Sequence, residues 1–321
     1  NGMGDKLMIF ESRGAEFLIS LYKNNYFDEK KYKEWINTHE MKEFLRHERA
    51  LNRNTSKSIL KREIIKVLKD SSYEDMYGYF KIKRNIEQIE KDYNYINDNW
   101  EIIVNNALKR LYNIIPEWVE INPQIFLLAG GVDGGFCIFG KRIYINLIKY
   151  IGKIEEFEKV ISHEMYHIRK NPFRRKKSWI KNMYFYPEKY LYELFGRILE
   201  EGIACLIQHE ANFIADDPAG TLTKENMNFA EAEFKKLNEM LIFVKKGKPQ
   251  YFSFQRLNTY VIGYKIAKFL YEKDGLFILN KWTLDYNYKE PIKKYIEVCR
   301  ESNVNSGFTR NIEEWILYNI V

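Results

Sequence analysis

The first proline in the chain is Pro116. Proline removes a backbone donor and clashes with the preceding helical turn, so the stretch before it is open to uninterrupted helices. Apolar spacing points the same way. Over residues 28–50, 57–69 and 82–105 apolar residues recur every three or four positions, as at Tyr32, Trp35, Ile36 and Phe44, which is the pattern of helices with one buried face. Between Trp118 and Ile148 the texture changes. Residues 121–128, 136–139 and 142–147 are apolar and β-branched, and Gly130, Gly131, Gly134 and Gly135 cluster between the first two runs. These segments predict a small antiparallel sheet, with the glycines serving hairpin turns that need positive φ. A phosphate-cradling loop would need GxGxxG spacing with a Lys-Ser/Thr after it, and the glycine cluster has neither. From Ile154 onward the chain reads as helical again, apart from a basic, aromatic stretch at 171–187. The expected fold is therefore α+β and mostly α-helical. Residues 1–100 form an amino-terminal helical region that no linker sets apart, and residues 101–321 form the functional domain.

Composition excludes several classes. At 321 residues with 45% hydrophobic content the chain can bury a substantial core, which rules out disorder. No apolar run approaches the roughly 20 residues that span a bilayer. Cys137, Cys205 and Cys299 are too few and too scattered for a disulfide scaffold or a cysteine-rich zinc module. With 51 Lys and Arg against 44 Asp and Glu, the net charge of +7 permits acidic partners without demanding them. Asn1 to Gly4 reads as an expression remnant, and residues 6–20 lack the apolar core and cleavage site of a signal peptide, so the expected location is cytoplasmic. A secreted protein lacking its leader would read the same. Abundant Lys, Ile, Asn and Tyr suggest an AT-rich bacterial genome.

Chemistry concentrates at His163-Glu164-Met165-Tyr166-His167, an H-E-x-x-H pattern within a helix expected over 155–170 and ended by Asn171-Pro172. On a helix His163 and His167 lie one turn apart on one face, so two imidazoles can share a metal ion. Glu164 stands about 100 degrees round from His163 and can reach a water beside the metal without binding the metal itself. Chance could produce the pattern, but only 5 histidines occur in the chain.

A catalytic zinc site needs a third protein ligand. Glu201 is the first choice. It precedes Gly202 in the middle of a strong helical segment at 190–213, where a glycine costs about 1 kcal/mol against alanine and implies a close neighbour, for which the metal-binding helix is the natural candidate. Glu200 points away and reads as solvated or supporting. His209, eight residues after Glu201, is the other candidate and could instead contact substrate, although an ordinary helix-surface histidine would look no different.

H-E-x-x-H followed by a downstream helix carrying E-G-x-A resembles the gluzincin branch of zinc metallopeptidases, nearest to poorly characterised bacterial families of zinc-dependent proteases. The resemblance covers about residues 120–270. It implies a zincin-like fold with the sheet beside the H-E-x-x-H helix, Zn2+ held by His163, His167 and Glu201, Glu164 as general base, and a peptide or protein substrate. Two features depart from thermolysin-like members. Cys205 stands where they carry an aspartate four residues after the ligand glutamate, and the gap from His167 to Glu201 is longer. Tyr260-x-x-Gly263-Tyr264, in an amphipathic helix expected over 259–271, also resembles a pattern late in those families. A tyrosine hydroxyl there could stabilise an oxyanion, with Tyr260 ahead of Tyr264, although core packing explains the pair equally well.

The stretch 169–189, with Arg174 to Lys177 among Phe173, Trp179, Tyr184, Phe185 and Tyr186, could grip nucleic acid, cover a peptide cleft or simply face solvent. Solvent or substrate is preferred over nucleic acid. It is also the working surface of the alternative function, a non-proteolytic binding or regulatory protein that keeps a metal-site fold. His39 and His47, eight apart in a charged helix, read as surface residues, and Asp216-Asp217-Pro218 reads as a turn.

Overall fold

Helix boundaries follow from capping chemistry. In the computed structural model, which describes residues 8–138, 141–170, 188–248 and 256–320, the helix expected over 28–50 is two helices, α2 (Glu29–Ile36) and α3 (His39–Ala50), after β1 (Ile9–Glu11) and α1 (Arg13–Asn24). The break falls where the Thr38 hydroxyl accepts the Met41 amide and starts a new helix, as the Asp28 carboxylate does for α2. Helix α4 (Lys57–Lys69) has its expected bounds and is capped by Ser56. Helices α5 (Tyr79–Arg84) and α6 (Ile86–Tyr112) divide the next stretch, and α6 kinks at Asn99.

The chain divides into two compact units, Asn1–Lys109 with Ile121–Arg169, and Arg110–Glu120 with Lys170–Val321. The first holds a four-stranded sheet in the order β1-β2-β4-β3, with β2 Gln124–Leu128, β3 Gly135–Ile138 and β4 Arg142–Asn146. The expectation of an antiparallel sheet is corrected here, because the sheet is mixed. Strand β2 pairs in parallel with both β1 and β4, and only β3 and β4 are antiparallel. The physical reason is the route of the chain. Its glycine cluster does not turn β2 back on itself but carries the chain past β4 to the far edge, where β3 runs down and returns as β4. Gly130 and Gly131 adopt φ of 133° and 116°, which side-chain-bearing residues rarely reach. Strands β2 and β4 are buried along nearly their whole length, as parallel strands usually are. Helix α7 (Ile154–His167) follows.

The second unit is built on α8 (Glu188–His209), which is buried on nearly every side. After it come α9 (Lys224–Met227), α10 (Ala230–Lys245), α11 (Thr259–Asp274), α12 (Leu276–Asp285), α13 (Lys289–Glu301) and α14 (Arg310–Asn319). Among the described residues no helix is long and apolar enough to cross a membrane. Two glycines of α8 admit neighbours. The Trp282 ring of α12 covers Gly196, and its indole N–H donates to Glu200 Oε2 at 2.7 Å. Gly202 meets the backbone of Gly263 on α11, so the close neighbour is α11 where the sequence suggested the metal-binding helix.

A Cβ on Gly202 would stand 2.3 Å from the Gly263 carbonyl group, and backbone cannot rotate away as a side chain can. Gly202→Ala gains about 1 kcal/mol of helix propensity but forces the two helices apart, a cost of about 1–3 kcal/mol or more. Net destabilisation is expected in urea unfolding, and a variant as stable as wild type would contradict so close a crossing.

Candidate metal centre

Helix α7 forms because Phe157, Val160, Ile161 and Met165 recur at helical spacing and are all buried. Glu155 and Glu156 in its first turn complement the helix dipole. It ends at His167, three residues before the expected stop. Arg169 folds back there, donating from Nη1 to the Tyr166 carbonyl at 2.8 Å with its guanidinium 4.0 Å from the centre of the Tyr166 ring. His163 and His167 lie on one face of α7 with ring centroids 5.0 Å apart. His163 is buried and His167 half-buried. That separation lets one nitrogen of each ring reach a shared ion at the usual 2.0–2.1 Å, roughly.

Glu164 is 8% exposed, and β3 runs beside it. The Cys137 thiol donates to Glu164 Oε2 at 2.9 Å. A Cβ on Gly135 would come within 3.2 Å of Glu164 Oε1, so the last glycine of the cluster also makes room for the carboxylate. Strand alternation explains both contacts, since Gly135 and Cys137 share one face of β3 and Phe136 points to the other.

On that opposite face an aromatic row crosses the strands. Phe126 of β2 stacks on Tyr144 of β4 at 5.0 Å, and Phe136 of β3 stacks on Tyr144 at 4.8 Å. Helix α3 lies along this row. His39 packs on Phe126 at 5.4 Å, and His47 stacks on Phe136 at 4.0 Å with an interplanar angle of 3°. Eight helical residues advance about 12 Å and two strand spacings about 10 Å, so the spacing of the two histidines suits the sheet. His39 is exposed, as expected. His47 is not simply a surface residue, because its side chain is 20% exposed and Nε2 lies 2.9 Å from Asp133 Oδ2. The missed signal was the match of that eight-residue spacing to the sheet, which needs the strand order to be recognised.

Asp133 anchors the glycine loop. Arg53 donates to Asp133 Oδ2 at 2.7 Å and Oδ1 at 3.0 Å, and also to Glu48 Oε1 at 2.7 Å. His47, Glu48 and Asp133 bring potential ligand atoms within 4.8 Å of one another. The Arg53 guanidinium already supplies the positive charge there, so the cluster is an ion-pair network. Burial pushes the Asp133 carboxyl up, but the hydrogen bonds from His47 and Arg53 outweigh it and hold the group well below the ordinary carboxylate range. Asn146 finishes the anchoring. Its Oδ1 accepts from the amides of Gly130 and Ile148, and its Nδ2 donates to the carbonyls of Gly131 and Asp133.

In the second unit, Glu201 is half-buried one residue before the Gly202–Gly263 contact, and Tyr260 is half-buried three residues before Gly263. The two stand within a turn of the same helix crossing. His209 lies seven residues beyond Gly202, about 10 Å along the helix, 8% exposed and packed on Phe213 at 4.8 Å. The Tyr264 hydroxyl donates to the Glu210 carbonyl at 2.6 Å, and burial, helped by Cys205 and Glu272, raises its pKa. Cys205 is fully buried. That burial first, and then the charges of Glu201 and Asp217, push its thiol well up, which suits an inert packing group. The basic, aromatic segment 171–187 lies outside the described residues.

The Asp133 network predicts a specific acid response. A carboxyl with a depressed folded-state pKa contributes stability that is full above its unfolded pKa, about 3.9. The contribution is lost as pH falls through the lower folded value. Asp133→Asn is expected to cost about 1–2 kcal/mol at pH 7, allowing for partial exposure. The gap to wild type should narrow only below about pH 4. Urea unfolding from pH 7 to pH 3 checks this, and a gap of constant size would contradict it.

No curated protein and no solved structure matches this chain significantly. A family model does match, over residues 32–304, a span that contains α7, β3, α8 and the Tyr260 turn of α11. The chain therefore belongs to the family described as "Putative zinc dependent peptidase (DUF5700)".

Proposed function

We propose that the protein is a zinc-dependent peptidase of the gluzincin type, with a zincin-like arrangement of β3 beside α7, acting on peptide or protein substrates. The observation that carries this reading is the paired imidazoles of His163 and His167 on one face of α7, with the Glu164 carboxylate held beside them by β3. The donor set fits zinc. Two imidazoles and the Glu201 carboxylate make the two-histidine, one-glutamate set of catalytic zinc sites, which keep a fourth position open. When bound, zinc supplies a Lewis acid that brings the pKa of a water towards neutrality.

The residues of the chain do the rest. Glu164 takes a proton from the attacking water on its carboxylate and returns it to the leaving amine, the work of a general base that then acts as an acid. Tyr260 donates its hydroxyl proton as a hydrogen bond to the developing oxyanion. It is preferred over Tyr264, whose hydroxyl already serves the Glu210 carbonyl. It is also preferred over His209, which packs among aromatic rings two turns from Glu201.

Zinc analysis of protein purified without added metal, together with hydrolysis of fluorescently quenched casein, tests this reading. Glu164→Gln should keep its zinc and lose about 10²–10⁴-fold in rate. Glu201→Gln should lose zinc, and Tyr260→Phe should lower kcat by about 10²–10³-fold with little change in KM. Full activity in Glu164→Gln, or zinc retained undiminished by Glu201→Gln, would refute the corresponding assignment.

A further inference from the structure

Beside Glu164 in the first unit, one polar side chain has no use in the mechanism above. Cys137 sits on the edge strand β3 with its Sγ 2.9 Å from Glu164 Oε2 and 3.5 Å from the Glu164 backbone carbonyl. We propose that the Cys137 thiol is a positioning residue for Glu164, holding Oε2 by a hydrogen bond so that Oε1 is presented on the side that Gly135 keeps uncrowded. This deepens the peptidase reading and rests on it.

Three observations support the proposal. First, the place of the thiol is set by backbone and not by its own side-chain freedom. Cys137 is paired with Ile143 in the β3–β4 register, and two residues upstream Gly135 is paired with Ile145. The loop before them is tied down through Asp133 to Arg53 and His47. A donor delivered by a strand anchored at its start and paired along its length can orient a carboxylate, because moving the donor means moving the strand. Second, the two oxygens of Glu164 have different surroundings. Oε2 meets the thiol, and Oε1 lies against the bare Cα of Gly135, where a Cβ would come within 3.2 Å. A carboxylate with one oxygen engaged has lost rotational freedom about its last side-chain bond, which is the freedom a general base must give up to meet a water in line. Third, the other two thiols, Cys205 and Cys299, are buried in the second unit, so the half-exposed Cys137 differs from them in setting. A packing role alone would be filled by alanine or valine, neither of which can donate a hydrogen bond.

The experiment has a spectroscopic and a kinetic arm, both on the full chain loaded with zinc. In Raman spectra the S–H stretching band of Cys137 is assigned by its loss in Cys137→Ser, with the bands of Cys205 and Cys299 as internal references. The band should lie at lower frequency in wild type than in Glu164→Ala, which removes the acceptor. With fluorescently quenched casein as the probe, Cys137→Ala should lower kcat roughly five- to tenfold, the factor that one ordinary hydrogen bond is worth. KM and zinc content should stay unchanged, and Cys137→Ser, which restores a donor, should recover most of the loss. An S–H band at the same frequency in wild type and Glu164→Ala overturns the proposal whatever the activity. So does wild-type kcat in Cys137→Ala, or a Cys137→Ser variant no better than Cys137→Ala. The band reports the thiol–carboxylate contact whether or not casein is cleaved. A wild-type protein that cleaves nothing would therefore overturn the peptidase reading, while the spectrum would still decide the contact.

Discussion

The surroundings of Glu164 depend on where β3 runs, and β3 runs where it does because Asp133 is tied to Arg53 and His47. A loop rich in glycine has little intrinsic shape. Gly130 and Gly131 let the chain take a route forbidden to other residues, but that permission alone would leave many routes open. The ion pair and the four hydrogen bonds of the Asn146 side chain select one. Once the loop is selected, pairing with β4 sets the register of β3, and alternation along the strand does the rest. Phe136 faces His47 and the aromatic row, while Gly135 and Cys137 face Glu164. One network of charges remote from the carboxylate in sequence thus decides what touches it.

The second unit relies on a different kind of constraint. Helix α8 is apolar and buried outside the face that carries Glu193, Arg197, Glu200 and Glu201, so it has to be enclosed, and the enclosing helices approach most closely where side chains are absent. Gly202 against Gly263 brings two backbones together, and Gly196 makes a seat for Trp282, whose N–H engages Glu200. The acidic pair Glu200-Glu201 is thereby divided. Glu200 is used to join α8 to α12, and Glu201 occupies the adjoining direction on the helix, beside the crossing that also carries Tyr260. Adjacent carboxylates on a helix point about 100 degrees apart, so Glu200 reaches Trp282 while Glu201 faces a different direction.

The local features of the chain were legible because they rest on short-range rules. The bounds of α4 came through to the residue, since Ser56 is a strong cap and the apolar spacing is regular. His163, Glu164 and His167 could be placed on one helix from spacing alone. The reading failed where the answer depended on strand order. Glycines between two strand-like runs look the same whether the strands are neighbours or are separated by a third, so a parallel pairing of β2 and β4 was read as a hairpin. The division of the 28–50 helix failed for a smaller reason, because a threonine inside an amphipathic pattern caps a helix only if the preceding turn ends there.

What the sequence determined by itself was the helical character of most of the chain, the imidazole pair and the adjacent glutamate, and the requirement that Gly202 meet a close neighbour. Each follows from the geometry of a helix and the chemistry of the residues along it. Only the tertiary structure decided that this neighbour is Gly263, that His47 joins Arg53 in holding Asp133, and that a thiol from an edge strand reaches the Glu164 carboxylate. Those contacts join residues far apart in sequence, and no local periodicity encodes them. They arise when the strands of a sheet are ordered and when helices close on one another, steps governed by which buried faces and charges can be satisfied together.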